Sequence, residues 1–490
     1  MCGAYNPNMS DDANGIRELV VGGVRTLQIR RPRLTRATLH FGVGLADEEF
    51  STRGVARVIE RLALGRTSHS KFEHNASVGR TRCKFWAGGE PEHVAQFFEQ
   101  LGRALVDLPL DYLARERKIL DAEDAEHGFD DHDVLLAARF GNHGLGLGVH
   151  PTYGARSTDP ATVQAHASQW FVRENALLTI IGRLPEGFDL PLPEGRVPPH
   201  IHHDHLLRGP GWMPDGDVRD PALGFVAADR LETIIASRVM AQSLERSLRD
   251  ELGILYAVEP ELVRLPPTGR VVVQLATSAT PGSEKVVAEA LASELLRRTE
   301  IGVTVDELAD DLAALDAFLA DPGFVEPNLD NEAERALAGL PLLSPGTIRA
   351  ALSAVTSEGV AAVLRDAVSS ALLVVPSGVE PETSFARSLS CGATREMTVP
   401  ELRRSFRSSA PAGTALGSSE DRVQYRDEAG DVHEIRLREC VGVGFTSRSR
   451  LLFGLGGCQI WVDPRRFQAG DTLIRAIDDR VPATLRFPLG

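Results

Sequence analysis

Apolar and polar residues alternate, then change period, along most of this chain. IRELVVGG and VRTLQIRR (16–31) read as a pair of strands joined at Gly22-Gly23. ATLHFGVGL (37–45) is a continuous apolar run and predicts a buried strand. RGVARVIERLALGR (53–66) switches to helical spacing, with Val55, Val58, Ile59 and Leu62 on one face. CKFWAGG (83–89) returns to strand, and EPEHVAQFFEQLGRALVDL (90–108) is an amphipathic helix. LARERKILDAEDAEH (113–127) is a charged helix expected to turn Leu113, Ile119 and Leu120 inward. The Asp-Pro of DPATVQAHASQWFV (159–172) marks a helix start, and ALLTIIG (176–182) is a buried strand.

A second round of the same pattern follows. RVVVQLATSATPGSEKVVAEALASELLRR (270–298) repeats the strand, loop and helix of 83–108. TSEGVAAVLRDAVSSALLVVPS (356–377) repeats 159–182, with ALLVVP displaced from ALLTII by 371 − 176 = 195 positions. Two matched pairs in the same order predict an internal duplication, each copy an α+β unit with helices on one face of a sheet. Pro- and Gly-rich 183–221 and Ser-, Pro-, Gly- and Arg-rich 378–419 read as linkers. Beyond them, short apolar runs at 421–427, 432–440, 441–447, 449–455 and 458–464, then a helix at 467–481, predict a small antiparallel β unit. By element order this unit is similar to a pleckstrin-homology-like barrel. The expected division is a flexible tail 1–16, halves at 17–208 and 209–385, a linker 386–419 and a β domain 420–490.

Composition narrows the function classes. Of 490 residues, 43% are hydrophobic and 25% charged, and the net charge is −15. This is ordinary globular composition with room for a large core. The acidic balance disfavours nucleic acid as a partner. No apolar run has the length of a membrane span, and the polar N-terminus has no signal-peptide core. Five cysteines without C-x-x-C read as reduced, buried thiols, and the expected compartment is the cytoplasm.

Candidate chemistry centres on Arg57, Glu60 and Arg61. R-x-x-E-R has the spacing of the inverted zinc motif H-x-x-E-H with both histidines replaced. A guanidinium has no lone pair to offer a metal. Alone, such a triplet is the pattern of a solvated helix face. Its context is more specific: an apolar strand ending in VGLADEE, Gly54, a later charged helix with Glu116 and Glu123, HPTYG (150–154) and a DPATVQ helix. In the second half, SLERSLRDELGILYAV (243–258) carries R-x-x-x-G-(L/I)-x-Y, with Arg249 and Tyr256.

In these features the chain resembles the insulinase/pitrilysin metallopeptidase family, including the mitochondrial processing peptidase subunits. The resemblance covers residues 17–380. It implies that Glu123 stands where a third zinc ligand would be, that Glu116 matches a second carboxylate, and that Arg249 and Tyr256 match a substrate-holding pair. With both histidines lost, no catalytic or metal-binding residue is expected in this chain, and zinc is expected in a partner. Arg57 and Arg61 are expected to pair with Glu60, Glu116 or Glu123 in place of the metal's charge. The interval from Arg61 to Glu123, 123 − 61 = 62 residues, is shorter than the family's. The shortfall near 67–85 puts a peptide-pairing edge strand in question.

The implied function is a non-catalytic or co-catalytic, substrate-holding subunit of a heterodimeric peptide-processing peptidase. Its partner would be a homologous chain with H-x-x-E-H. A standalone scaffold is the alternative reading. Elsewhere, the tract from His200 to His205 reads as a linker that collects adventitious metal, or as a metal site. GNHGLGLGVHP (141–151) lacks the following helix that a phosphate loop needs, and FDDHDV (129–134) reads as a helix cap.

Overall fold

The computed structural model describes residues 16–31, 35–66, 73–126, 130–201, 206, 209–265, 268–321, 325–388, 391, 393–406, 408–468 and 470–489. The tail expected over 1–16 lies outside them except for Ile16.

The first half is a six-stranded sheet of β1 (Ile16–Val21), β2 (Val24–Ile29), β3 (Thr35–Phe41), β4 (Glu73–Val78), β5 (Cys83–Gly89) and β6 (Ala176–Ile181), in the order β1-β2-β6-β3-β5-β4. Its helices are α1 (Val55–Leu64), α2 (Pro91–Val106), α3 (Leu113–Glu126), α4 (Asp131–Phe140), α5 (Tyr153–Ser157) and α6 (Pro160–Trp170). The second sheet contains β7 (Gly211–Asp215), β8 (Ala222–Ala228), β9 (Leu255–Leu265), β10 (Arg270–Ala279), β11 (Leu372–Pro376) and β12 (Ala386–Arg387). Its order is β12-β7-β11-β8-β10-β9. Here the helices are α7 (Leu231–Leu244), α8 (Glu284–Ile301), α9 (Val305–Ala320), α10 (Val325–Leu337), α11 (Pro345–Ser353) and α12 (Ser357–Val368).

The duplication is visible in the ladders. β2 pairs parallel with β6, and β7 parallel with β11. β3 runs antiparallel between β6 and β5, as β8 does between β11 and β10. The fold is thus α+β with two copies of one unit. In each, amphipathic helices cover one sheet face: α1, α2 and α6 bury Val58, Ile59, Phe98 and Val163 in the first core, and α7, α8 and α12 bury Ile235, Leu291 and Leu364 in the second.

The other faces are covered by exchange. Val134 and Leu135 of α4 pack against Met213, Ala222, Leu372 and Val374 of the second sheet. Leu329, Ala333 and Ala336 of α10 pack against Leu27, Ile29 and Leu177 of the first. Each half lends the other a helix, so neither sheet is closed without both.

The C-terminal residues form a three-stranded sheet of β13 (Ala415–Ser418), β14 (Arg422–Arg426) and β15 (Val432–Arg436). A four-stranded sheet follows, with β16 (Cys440–Phe445), β17 (Arg450–Gly454), β18 (Gln459–Val462) and β19 (Arg486–Pro488) in the order β18-β17-β16-β19. Helix α13 (Gly470–Arg480) precedes β19, which pairs parallel with β16, so a strand and not the helix ends the unit.

Several expectations change. The 183–221 segment is no free linker: Leu190 and Leu192 join the first core and β7 lies within it. In 378–419, Phe385, Val399 and Ala410 are buried and β12 and β13 form. On α3, Leu113, Glu116 and Leu120 turn inward, while Ile119 is only half-buried, because the buried stripe steps by three and four. The cysteines are not all thiols. Cys391 and Cys458 form a disulfide, and Cys83 and Cys440 are free and buried. Cysteine usage therefore does not argue for a reducing compartment. No single helix among the described residues is long and apolar enough to cross a membrane. α11 and α12 pass together only as a pair bent by 88°, and α12 buries Val360 and Leu364 in the second core.

Candidate functional site

The site is built on α1. Val55, Val58, Ile59 and Leu62 are fully sunk in the first core, so Arg57, Glu60 and Arg61 are turned along the opposite side. Gly54 starts the helix with φ +97°, and a Cβ there would stand 2.5 Å from Thr152 Cβ. With no side-chain cap from Gly54, the buried Glu48 carboxylate takes that role. It accepts the N–H groups of Gly54 (2.8 Å) and Ala56 (2.9 Å) and pairs with Arg53 at 3.3 Å. Burial raises the Glu48 pKa, and Arg53 and the helix N–H groups oppose that rise. The sequence reading passed over Glu48 and Arg53; VGLADEE held the signal, an acid just ahead of a helix start.

Helix α3 supplies the carboxylates. Arg57 Nη2 donates to Glu123 Oε2 at 2.9 Å, and Arg61 Nη1 to Glu123 Oε1 at 2.6 Å. Arg61 Nε donates to Glu116 Oε2 at 2.9 Å, and Arg57 also stands 3.6 Å from Asp124. Glu116 is 4% exposed, and its second oxygen accepts from Arg115 at 2.6 Å. Both Glu123 oxygens are thus taken by guanidiniums, which fork to carboxylates well. Glu60 is not part of this lattice. It is half-buried, and burial pushes its carboxyl up to about 7, against the opposing pull of Arg57 and Arg61.

Arg53, Arg57, Glu60, Arg61 and Glu123 line a groove of about 490 Å³. Its far wall is Asn75–Val78 of β4, the edge strand that the sequence put in question. The strand is present and pairs with β5 from Glu73↔Gly88 to Val78↔Cys83; residues 67–72 lie outside the described set. At the β4–β5 turn, Arg80 bonds Asp133 of α4 at 2.9 Å and also Glu261 of β9, tying this edge to the second half. Among the described residues β4 pairs with β5 alone, so its outer edge lies beside the Glu60 carboxyl. The groove does not fit a zinc ion: none of its lining residues is His or Cys, and both oxygens of Glu123 are engaged.

Arg249 and Tyr256 lie elsewhere. Arg249 is in a π-helical turn (Glu245–Glu251) after α7 and pairs with Asp250 at 2.9 Å and Glu245 at 3.5 Å. Tyr256 is on the edge strand β9 and 79% exposed. Neither is among the residues that line the α1 groove.

The tract from His200 is only partly described. His200 Nδ1 bonds Asp47 Oδ1 at 2.6 Å and its ring stacks on Trp170 at 5.3 Å. His202, His203, Asp204 and His205 lie outside the described residues. Asp130 caps α4 by accepting the His132 N–H at 3.0 Å, and Gly144–Val149 forms a 3-10 turn rather than a phosphate loop.

Solved structures share this fold at low identity. A putative M16-like peptidase from Alicyclobacillus acidocaldarius is similar over 76% of this chain and 99% of its own (TM-score 0.58, 16% identity). A peptidase M16 inactive domain from Pseudomonas fluorescens matches over 78% of this chain and 99% of its own (TM-score 0.58, 13% identity). A chain of complex III2 from Candida albicans matches over 74% and 96% (TM-score 0.60, 14% identity). The architecture is therefore that of the insulinase-like M16 peptidases. No family model and no curated protein matches the sequence.

Proposed function

We propose that this chain is a non-catalytic or co-catalytic subunit of a two-chain insulinase-like peptidase, holding peptide for a homologous partner that carries H-x-x-E-H and its zinc. The carrying observation is the lattice of Arg57 and Arg61 with Glu116 and Glu123. In it two cations and two carboxylates satisfy one another, at positions that the family resemblance would give to a metal and its ligands. The groove keeps a peptide-compatible wall in β4. Arg249 and Tyr256 do not line their own groove and Tyr256 is open to solvent, which is compatible with a role in a partner's site. One similar fold is described as an inactive domain and another belongs to a multi-chain complex, which supports the reading by analogy.

In this role Glu60 activates no water, and the lattice keeps α1 and α3 together without a metal. Arg249 offers a fork to a substrate carbonyl or carboxylate, and Tyr256 an amphipathic contact. The test is purification of the tagged chain from its native host. A near-stoichiometric homologue with H-x-x-E-H is expected. Peptide hydrolysis by the complex should fall about tenfold or more in the Arg249→Ala, Tyr256→Phe double variant with the complex intact, the loss of one charge-assisted contact. Elution alone or as a self-oligomer would move the assignment to a scaffold, and full activity in the double variant would remove the shared site.

A further inference from the structure

Away from the groove, the C-terminal unit brings together Cys391, Cys458 and His433. Cys391 comes from the segment before β13, Cys458 from the turn before β18, and His433 from β15. One ligand atom of each lies within 4.8 Å of the others. Cys391 Sγ is 3.2 Å from His433 Nδ1, and Cys458 is 3% exposed. Cys391 has φ +48°, the one non-glycine positive φ among the described residues. Cys391 is thus held in a sparsely populated backbone conformation.

His433 is oriented from behind. Its Nε2 is 3.0 Å from Asp427 Oδ2, and the other Asp427 oxygen accepts the Asp431 N–H at 2.9 Å. An ionised carboxylate only accepts, so Nε2–H donates to Asp427, and Nδ1 is the ring atom turned to Cys391 Sγ. Cys391 and Cys458 are disulfide-bonded here, and a disulfide has no proton to donate. Nδ1 thus lies against a sulfur that can accept but not donate. A proton or a cation between these three atoms would complete the arrangement. Carboxylate–histidine pairs of this form set tautomer and ring angle at metal centres.

We propose that reduction of the Cys391–Cys458 bond opens a Zn²⁺ site formed by both thiolates and His433 Nδ1, with Asp427 as the positioning residue. A dithiol reductant supplies two electrons and two protons, becoming a cyclic disulfide and leaving two thiols. Zn²⁺ then displaces both thiol protons to solvent, so the two thiolates balance the dication. Zinc takes sulfur at about 2.3 Å and imidazole nitrogen at about 2.0–2.1 Å, which places its ligand atoms about 3.5–3.8 Å apart in a tetrahedral site. The 3.2 Å approach of Nδ1 to Cys391 Sγ is close to this spacing. Either state, disulfide or zinc, staples the segment around Cys391 to the β-sheets of the C-terminal unit. Nothing in this assignment depends on the peptidase reading.

The full-length chain, reduced with a dithiol and freed of it, would be titrated with Zn²⁺ against a chromophoric chelator and separately with Co²⁺. One ion per chain and a thiolate-to-cobalt charge-transfer band are expected. The band should vanish in Cys458→Ser and His433→Ala, and affinity should fall about 10–100-fold in Asp427→Asn. Asp427→Asn keeps every ligand and the disulfide, so it reads the site even where a cysteine variant misfolds. Zinc held by the His200 tract would give no thiolate band. The proposal is overturned if the reduced chain shows no such band, if the band survives His433→Ala, or if the oxidised chain binds equally well. Absence of metal binding together with His433-dependent alkylation of Cys391 would make the cluster a thiol-exchange site instead.

Discussion

Glu60 is the groove carboxyl whose protonation changes near neutral pH, because burial costs its charge more than Arg57 and Arg61 return. The sign follows from linkage. A carboxyl raised from 4.5 to about 7 binds a proton more tightly folded than unfolded. It leaves stability intact at acid pH and subtracts from it as pH rises through 4.5 to 7. Glu60→Gln should therefore match the wild type near pH 4 and exceed it by about 2 kcal/mol at pH 8. Urea unfolding at both pH values reads this, and an equal effect at both would exclude the raised pKa. The residue types at this site were legible in the sequence. Which carboxylates the arginines choose was not: Arg61 at 62 positions from Glu123 meets it only because α3 lies across α1.

Among the elements, α1 depends on its start. Gly54 sits at φ +97° with Thr152 and Ala155 packed against it, so a side chain meets both strain and overlap. Gly54→Ala should cost about 3 kcal/mol, more than a surface helix position would. A lower urea midpoint at unchanged slope is the expected result; an unchanged midpoint would mean the α1 entry relaxes freely. The helix itself was legible from its Val55, Val58, Ile59, Leu62 stripe. The edge strand β4 was not, since EHNASV alternates exposed and half-buried residues with little apolar contrast. Its place is set by backbone bonds to β5 instead.

Across the whole molecule, the C-terminal unit docks on the approach to α1. Phe453 and Phe487 pack with Phe50 and Tyr153, with Phe50 and Phe453 centroids 4.6 Å apart and Tyr153 stacked on Phe487 at 4.9 Å. Gly442 lies against Phe50 so closely that a Cβ would approach to 2.4 Å. Phe453→Ala should cost about 3–5 kcal/mol at this contact. The expected readout is protease cleavage within 378–419 under conditions that spare the wild type. Cleavage no faster than wild type would show the unit is held elsewhere. The linker reading of that segment came from its composition, which records few apolar residues but not that Phe385, Val399 and Ala410 are all buried.

What the sequence determined by itself is local or repeated. Strand and helix periods follow from side-chain directions along one element, the duplication from two copies of one order, and the unsuitability of Arg57 and Arg61 as metal ligands from guanidinium chemistry. What only the tertiary structure decided depends on how distant segments cross. The buried side of α4 has the same spacing whichever sheet it covers, yet it closes the second sheet while α10 closes the first. Cys391 and Cys458 are 67 positions apart, and their union with His433 needs the turn before β18 to fold back on β15. A periodic pattern states that a face must be buried; the path of the chain selects what buries it.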